Sequence, residues 1–477
     1  MAFGGGGGGF GACAHFAPTT TTVAAFGPRN DPCYVMALAP SWDGKYLAAT
    51  LSTHVVKVYQ RGEADRAGSV GALLELTGHG AKVTDVTFPL PSEPHLVLSS
   101  SEDGTVRLWD CRAAEGSREV QRYTAGFAKS YATAALGGGQ DHLVCGGCNE
   151  QIVFWDRRMG NGLEVFEDSH SEEVTRLRFQ TGSRNRLFTA SVDGLACAFD
   201  LGGCPADIND EDGLLTVMAT ETAIVEMGFC SRGSGSGGGG RGGDDDGSAA
   251  DVLWVLTGNE EVFLYDASAD VEKLGDLLAH IPDTRGAATN AAARAGLPKR
   301  PVPGSAPDDN ELCGLSHRVD YLISCFSGPG GSVGVGPMIA AGTQTGTVGV
   351  FPVVPGPDPV NRPTTASLGP PIAVLDGGHK DIVRAMAWCP ELAGTGHPAA
   401  AHPVTGAEDS RVCVWGEGGG GGSSSTGYTM GEQYGGGGGS GGGHGGYGGA
   451  ADGGYYGGGG AGGKSGRAGG ERRHSPY

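Results

Sequence analysis

A histidine, a serine and an aspartate lie close together in the first quarter of the chain, and these residue types form the catalytic triad of many hydrolases. They are His79, Ser101 and Asp103, and the last two lie in the run LVLSSSEDGTVRLWD, which also contains Trp109. The alternative role is structural, because an imidazole, a hydroxyl, a carboxylate and an indole N–H on neighbouring short strands can form one buried chain of hydrogen bonds. Each such bond contributes about 1 kcal/mol net, and breaking one leaves its neighbours unsatisfied.

Two partial copies of this arrangement favour the structural role. The first copy has a phenylalanine in place of the tryptophan, and the second has an alanine where we expect the hydroxyl. The residues are His170, Ser191, Asp193 and Phe199 in the first copy, and His379, Ala407, Asp409 and Trp415 in the second. Repetition argues for a scaffold rather than a single active site. We therefore predict a protein that is not an enzyme and has no catalytic residues, bound metal or cofactor.

The repeated unit has the pattern of a WD repeat: an alternating strand, a second strand, a tight turn and a third strand that ends in an aromatic residue. A fourth, outer strand follows in each unit. Residues 231–250 and 267–318, rich in glycine or in alanine and proline, interrupt the series and are interpreted as loop insertions. Seven aromatic ends occur, at Tyr59, Trp109, Trp155, Phe199, Tyr265, Phe351 and Trp415. The sequence therefore predicts an all-β, seven-bladed WD-repeat β-propeller over residues 19–415.

The last unit lacks an outer strand of its own, because the chain after Trp415 continues as GEGGGGGSSSTG. The segment TTTTVAAF at 19–26 can supply that strand, so we predict that it pairs beside the third strand of the last blade and closes the ring. Residues 1–18 and 416–477 are rich in glycine and have no apolar periodicity, which predicts two disordered termini.

Composition and charge limit the classes of partner. Glycine accounts for 91 of 477 residues, which indicates low-complexity segments beside an ordinary folded domain. The formal net charge of −20 disfavours direct binding to nucleic acid or to an anionic membrane. No apolar run is long enough to span a bilayer, and the scattered cysteines do not form a disulfide framework. These features predict a cytoplasmic or nuclear protein with protein partners.

Two adjacent units end in the sequence W-D-x-R. The motif places Asp110 and Arg112 in the second unit, and Asp156 and Arg158 in the third, near the exposed turn that follows the third strand. Two neighbouring copies could engage carboxylates or carbonyls of a partner. The pair resembles the double box of WD-repeat substrate receptors that dock on the damaged-DNA-binding adaptor of cullin-4 ubiquitin ligases. The alternative is a surface ion pair in each turn that contributes little.

A second candidate surface lies at the tight turns between the second and third strands. Neighbouring residues of a strand point in opposite directions, so if Asp103 and Asp409 face the buried network, Glu102 and Glu408 should face outward near the ring opening. Acidic side chains there suit an alternative function, in which an acidic nuclear assembly factor or chaperone holds a basic client such as a histone or ribosomal protein.

Several longer segments are similar to the WD repeat-containing protein 89 family. They are LVCGGCNEQIVFWDRRM, the continuation DINDEDGLLTV after the fourth unit, and LDGGHKDIVRAMAWCP at the start of the seventh. The glycine-rich termini and the enlarged loops depart from the family pattern. The resemblance implies a seven-bladed β-propeller without enzymatic activity and leaves the specific partner open.

Overall fold

The computed structural model describes twelve stretches of the chain. They are residues 13–23, 33–61, 70–138, 140–180, 183–202, 208–231, 251–297, 300–301, 312–327, 336–356, 364–389 and 402–417. The chain divides into two units, Met1–Ser424 and Ser425–Tyr477, and the second unit lies wholly outside the described residues. The described part of the first unit is strand and turn, with two short helices.

The described strands and helices have the following bounds. Strands of the first half are β1 (Ala14–Val23), β2 (Val35–Pro40), β3 (Tyr46–Leu51), β4 (Val56–Arg61), β5 (Val70–Leu76), β6 (Val83–Thr87), β7 (Leu96–Ser101), β8 (Val106–Asp110), β9 (Glu119–Tyr123), β10 (Thr133–Gly137), β11 (Leu143–Cys148), β12 (Gln151–Asp156), β13 (Gly162–Phe166), β14 (Val174–Gln180), β15 (Ser183–Ser191), β16 (Leu195–Asp200) and β17 (Leu214–Ala219). Those of the second half are β18 (Ile224–Cys230), β19 (Val252–Thr257), β20 (Val262–Asp266), β21 (Leu277–Ile281), β22 (Arg300–Pro301), β23 (Leu312–Cys313), β24 (Tyr321–Ser327), β25 (Pro337–Gly342), β26 (Val348–Pro355), β27 (Ala366–Leu368), β28 (Ala373–Leu375), β29 (Val383–Cys389), β30 (His402–Ala407) and β31 (Arg411–Glu417). The helices are α1 (Asp210–Gly213) and α2 (Thr284–Arg294).

Five sheets share one topology, an antiparallel meander of four strands that follow one another in the chain. Their orders are β2-β3-β4-β5, β6-β7-β8-β9, β10-β11-β12-β13, β14-β15-β16-β17 and β18-β19-β20-β21, called here the first to fifth sheets. The second strand of a meander is buried along its length, as in β7, whereas the fourth alternates between buried and exposed residues, as in β9. Sheets whose burial increases toward one side are the blades of an all-β propeller.

A nine-stranded sheet contains the remaining long strands. Its order is β24-β25-β26-β28-β1-β31-β30-β29, and β27 pairs with β26 off this path. It therefore contains two further antiparallel series of four, β24-β25-β26-β28 and β29-β30-β31-β1. The strand β1 joins these series, because it runs antiparallel to β31, with Thr21 opposite Cys413, and parallel to β28, with His15 opposite Val374.

The boundaries of the N-terminal strand differ from the predicted ones. The predicted closing strand was 19–26, after a disordered segment 1–18, but β1 begins at Ala14, so residues 14–18 belong to a strand. The physical reason is that β28 and β31 both present open edges, whose unpaired N–H and C=O groups bond to any extended segment between them. Residues 1–12 and 24–26 lie outside the described residues.

Apolar side chains fill the spaces between neighbouring sheets. Trp109 of the second sheet packs in one cluster with Tyr46 of the first. Another cluster contains both Leu47 of the first sheet and Val414 of β31, so the beginning and the end of the described chain share a core. Full burial of an aliphatic side chain contributes about 1.5–3 kcal/mol, and these clusters therefore hold the sheets together.

The segment 267–318 is not only a loop, which corrects its prediction as an insertion between blades. It contains β21, the outer strand of the fifth sheet, and the helix α2. Three alanines of α2, Ala288, Ala291 and Ala292, are fully buried in the cluster that contains Phe351. Their small side chains let the helix approach the sheet closely, which the alanine-rich composition alone did not indicate.

The predicted low-complexity segments fall mostly outside the described residues. Residues 232–250 of the loop 231–250 and residues 418–477 of the C-terminal tail are not described. Gly416 and Glu417, which the prediction placed in the tail 416–477, belong to β31 and pair with β1. The ordered domain therefore extends slightly beyond its predicted end at Trp415.

Candidate partner-binding surfaces

The histidine, aspartate and tryptophan of the second sheet belong to one buried network of hydrogen bonds. His79 Nδ1 lies 3.0 Å from Asp103 Oδ2, and His79 Nε2 lies 2.8 Å from Ser99 Oγ. Trp109 Nε1 donates to the same Ser99 oxygen at 2.8 Å. Because a carboxylate can only accept, Nδ1 carries the proton and Nε2 accepts from the Ser99 hydroxyl. Each of these side-chain groups, the carboxylate, the imidazole, the hydroxyl and the indole N–H, therefore has a hydrogen-bond partner.

The hydroxyl of each network lies two residues earlier than predicted. Ser101 Oγ donates instead to the backbone oxygen of Ala81 at 3.2 Å. Residues two apart in a strand share a face, so sequence alone could not distinguish the two positions. The hydroxyls bonded to histidine are Ser99, Thr189 and Thr405, in place of the predicted Ser101, Ser191 and Ala407. The last network is therefore complete, since Trp415 Nε1 also donates to Thr405 at 2.7 Å.

Burial and hydrogen bonding shift the pKa values in this network. Burial lowers the pKa of His79 and of His170 below the ordinary value of 6.5, against the opposing effect of the neighbouring aspartates. Burial by itself raises the pKa of Asp103, but hydrogen bonds from Thr105, the Gly80 amide and His79 outweigh it and lower that pKa to about 2. The ground state is therefore a neutral imidazole beside an ionised carboxylate.

These shifts predict a loss of stability in acid. A histidine whose folded pKa is depressed contributes stability above 6.5 that is lost as the pH falls through the folded pKa. Asp103 adds a second loss as the pH falls from its ordinary value of 3.8 toward about 2. We expect the free energy of unfolding, measured by urea titration, to decrease from pH 7 to pH 3. The variant His79→Gln should show a smaller decrease than the wild type, and an equal decrease would contradict the assignment.

The two W-D-x-R turns have the same internal geometry. The Arg112 backbone N–H and Nε donate to Asp110 Oδ1 at 2.8 and 3.1 Å, and its Nη2 donates to Asp110 Oδ2 at 2.9 Å. The corresponding distances from Arg158 to Asp156 are 2.7, 3.2 and 2.8 Å. The arginine side chains are 62% and 56% exposed, so each aspartate orients a guanidinium that still faces solvent. These hydrogen bonds lower the pKa of Asp156 to about 2.

The turns lie at the same end of neighbouring sheets. In a four-strand meander the first and third connections share one end, and Arg157 forms an ion pair of 2.7 Å with Glu93 from the first connection of the second sheet. Exposed apolar side chains accompany them: Trp42 is 45% exposed in the first connection of the first sheet, and Met159 is 68% exposed after Arg158. We call Asp110, Arg112, Asp156 and Arg158 the W-D-x-R surface.

The two predicted glutamates lie at the opposite end and differ in environment. Glu102 is exposed at the turn between β7 and β8. Glu408 is only 18% exposed, and its carboxylate accepts from Arg384 Nε at 2.6 Å. The two residues therefore do not offer equivalent contacts to a partner.

A charged network on the first strands of the sheets was not among the predicted sites. Arg178 donates to both oxygens of the buried Asp85 at 2.7 and 3.1 Å, and Thr133 donates to the same carboxylate at 2.7 Å. Although burial alone raises the pKa of Asp85, the charge of Arg178 keeps it below the ordinary value. The three residues lie on β6, β10 and β14, so they connect three successive sheets. The sequence signal for this network was the aspartate in VTDVTF and the arginine at the equivalent strand in VTRLRF, which carry opposite charges.

The described residues contain no group of three or more histidine, cysteine or acidic side chains that could hold a metal ion. Over the same residues, no helix is long and apolar enough to cross a membrane. All the cysteines characterised there are free thiols.

Comparisons with known proteins agree with the repeat pattern. The family model described as WD domain, G-beta repeat, matches residues 72–110. WD repeat-containing protein GTS1 of Arabidopsis thaliana is 32% identical over 390 residues, which cover 80% of this chain and 81% of that protein. The WD repeat-containing protein 89 homolog of Dictyostelium discoideum is 24% identical over 81% of this chain and 83% of its own length. The Ribosome biogenesis protein WDR12 homolog of Arabidopsis thaliana is 30% identical over 31% of this chain and 34% of its own length.

Proposed function

Since the chain belongs to the WD-repeat protein family, together with its GTS1 and WD repeat-containing protein 89 relatives, we propose that it is a non-enzymatic scaffold for protein partners. Rigid rings of this kind present loops at both ends, and such loops supply binding residues without changing the core. We further propose that the scaffold acts in the cytosol or the nucleus.

We propose that the ring has seven blades. Five separate four-stranded sheets support this count, together with the two further series of four strands within the nine-stranded sheet. The shared core of Leu47 and Val414 supports closure between the first sheet and β31. The parallel contact of β1 with β28 accounts for the fusion of the last two blades into one sheet.

The proposed absence of catalysis rests on access. The triad-like residues have their reactive atoms inside the networks, where the His79 side chain is 0% exposed and Ser99 is 1% exposed. A substrate cannot reach a hydroxyl that is enclosed in this way and already bonded to both an imidazole and an indole. The network therefore supports the structural role.

The W-D-x-R surface supports a finer function, docking on the adaptor of a cullin-4 ubiquitin ligase as a substrate receptor. The observation that carries it is the repetition of one arginine geometry at the same end of two adjacent sheets. Each guanidinium is held by its own aspartate and keeps donors exposed to solvent. Two oriented guanidiniums can bind carboxylates or backbone carbonyls with little loss of side-chain entropy.

The double variant Arg112→Ala/Arg158→Ala should lose the adaptor. Because truncation of an arginine at the centre of an interface costs 2 kcal/mol or more, we expect recovery of the adaptor in a tagged purification to fall by at least about tenfold. The matched control is Arg122→Ala/Arg318→Ala, which removes two other exposed arginines paired with nearby carboxylates. Absence of the adaptor from the wild type, or its equal recovery with the double variant, would contradict the proposal.

The second candidate is an acidic assembly factor that holds a basic client. The net charge of −20 favours it, as does the similarity to a relative named for ribosome biogenesis. In the same purification this function predicts basic proteins that dissociate as salt is raised, because screening weakens exposed charge contacts. The variant Glu102→Lys should weaken their recovery if the ring opening is the binding surface.

A further inference from the structure

A groove of about 600 Å³ runs along β13, the outer strand of the third sheet. Apolar side chains of β12 and β13 line it, including Trp155 and Val165. Phe127, from the connection between β9 and β10, also lines it. Phe127 is 53% exposed, which is unusual for a phenylalanine in a folded domain. The groove lies on the outer side of the propeller.

One position of β13 beside the groove has no side chain. In three other sheets, a residue with a side chain lies opposite the aromatic end of the third strand. The pairs are Trp109 with Glu119, Phe199 with Leu214, and Tyr265 with Leu277. In the third sheet the residue opposite Trp155 is Gly162. A Cβ atom added at Gly162 would meet no heavy atom within 4 Å, so the missing side chain leaves open space.

The hydrogen-bond network that includes Trp109 and Trp415 has no counterpart at Trp155. Trp155 Nε1 donates to the backbone oxygen of Thr124 at 3.3 Å, not to a hydroxyl bonded to histidine. The connection from Thr124 to Phe127 therefore forms one wall of the groove. Two departures from the repeat therefore occur beside Trp155. Gly162 stands where other sheets have a residue with a side chain, and Thr124 replaces the network hydroxyl as the partner of the indole N–H.

Four carboxylates line the groove together with these apolar side chains. Glu164, Glu167, Asp168 and Asp210 line the groove, and the lining contains no lysine or arginine. Glu167 accepts a hydrogen bond from the Gln151 amide. None of the four forms an ion pair with a lysine or arginine in the described part of the chain. The groove therefore combines an apolar floor with negative charge that the neighbouring side chains leave uncompensated.

We propose that this groove binds an extended basic segment of a partner protein, in which an apolar side chain is flanked by lysine or arginine. The apolar side chain would occupy the space beside Gly162, at the position that Leu214 and Leu277 take in the fourth and fifth sheets, and would be partly withdrawn from water there. The flanking cations would face the four carboxylates, and their aliphatic stems would lie along Phe127. The site is distinct from the W-D-x-R surface and does not require the ligase function.

The test uses the full chain and a fluorescent peptide, acetyl-Lys-Arg-Leu-Arg-Lys-amide, measured by fluorescence anisotropy. The variant Gly162→Leu fills the groove with a side chain that has room in the structure, so it should bind the peptide at least about tenfold more weakly. Reversal of two charges in Glu164→Lys/Asp168→Lys should have a similar effect. Raising the salt from about 50 mM to about 500 mM should weaken binding to the wild type.

The controls separate the groove from general attraction to an acidic protein. Glu272→Lys/Asp276→Lys makes the same charge change at exposed residues of the fifth sheet and should leave the affinity within about twofold, since salt screens distant charges. Arg112→Ala should also leave it unchanged, so failure of the ligase proposal would not affect this one. Affinities are compared only among variants whose melting temperatures match that of the wild type.

Three results would overturn the proposal. The first is unchanged peptide binding by folded Gly162→Leu, and the second is equal binding of a peptide with glycine in place of leucine. The third is peptide binding that occurs only in the variant Arg467→Glu/Arg472→Glu/Arg473→Glu, which would make the chain's own basic terminus the occupant. Binding that requires the leucine, the open Gly162 and the carboxylates of Glu164 and Asp168 would establish the groove.

Discussion

Deletion of residues 1–23 should lower the melting temperature of the protein by roughly 5 °C or more. The strand β1 occupies the space between β28 and β31, and it pairs with both. Its removal exposes two strand edges together with the side of the cluster against which Phe16 packs. The unpaired backbone groups and the lost apolar burial both destabilise the folded state.

The matched control is deletion of residues 1–12, a segment in which glycine is the commonest residue and which ends before β1, so we expect it to leave the melting temperature unchanged. Exposed edges also pair with other chains, so the deletion of 1–23 should increase the apparent mass in size-exclusion chromatography. If the longer deletion melted at the same temperature as the shorter one, β1 would not contribute to closing the domain.

Thr405→Val should destabilise the protein by about 2–4 kcal/mol, measured as the change in free energy of unfolding in urea. Valine has nearly the shape of threonine but no hydroxyl, so it leaves His379 Nε2 and Trp415 Nε1 without their common partner. Both groups belong to buried side chains, and Trp415 is 0% exposed. Each orphaned polar group therefore costs the free energy of its desolvation.

Two variants check this explanation. Thr405→Ser keeps the hydroxyl and removes a methyl group, so it should cost only about 1 kcal/mol. Thr189→Val should cost about half as much as Thr405→Val, because phenylalanine replaces the tryptophan in that sheet, so His170 Nε2 loses its partner but no indole N–H does. Equal costs for Thr405→Val and Thr405→Ser would show that the hydroxyl is not responsible.

The sequence by itself was sufficient for the class of fold. The prediction of an all-β WD-repeat propeller is confirmed, and so is the resemblance to the WD repeat-containing protein 89 family. Alternating apolar residues, an Asp–Gly turn and an aromatic strand end are local features, and each constrains only residues close in the chain. Repetition then makes a local pattern into a global one, because equivalent units stack on one another.

Within the buried networks, the residue types were predictable but one position was not. Ser99 and Ser101 share a strand face, as do Thr405 and Ala407, so the period of two is compatible with either choice. In the folded protein His79 Nε2 contacts Ser99, and His379 Nε2 contacts Thr405. Each histidine lies in a separate connection, and its position against the strand is a contact between segments that the strand pattern does not encode.

The remaining features were decided by tertiary structure. The position of β1 between β28 and β31 depends on edges that are separated from it by several hundred residues. The burial of α2 depends on the cluster it packs against, and the groove beside Gly162 depends on which residue of β12 lies opposite it. The sequence thus determined which segments become strands, whereas strand register and packing between distant segments determined the surfaces available to partners, because those contacts form only in the folded chain.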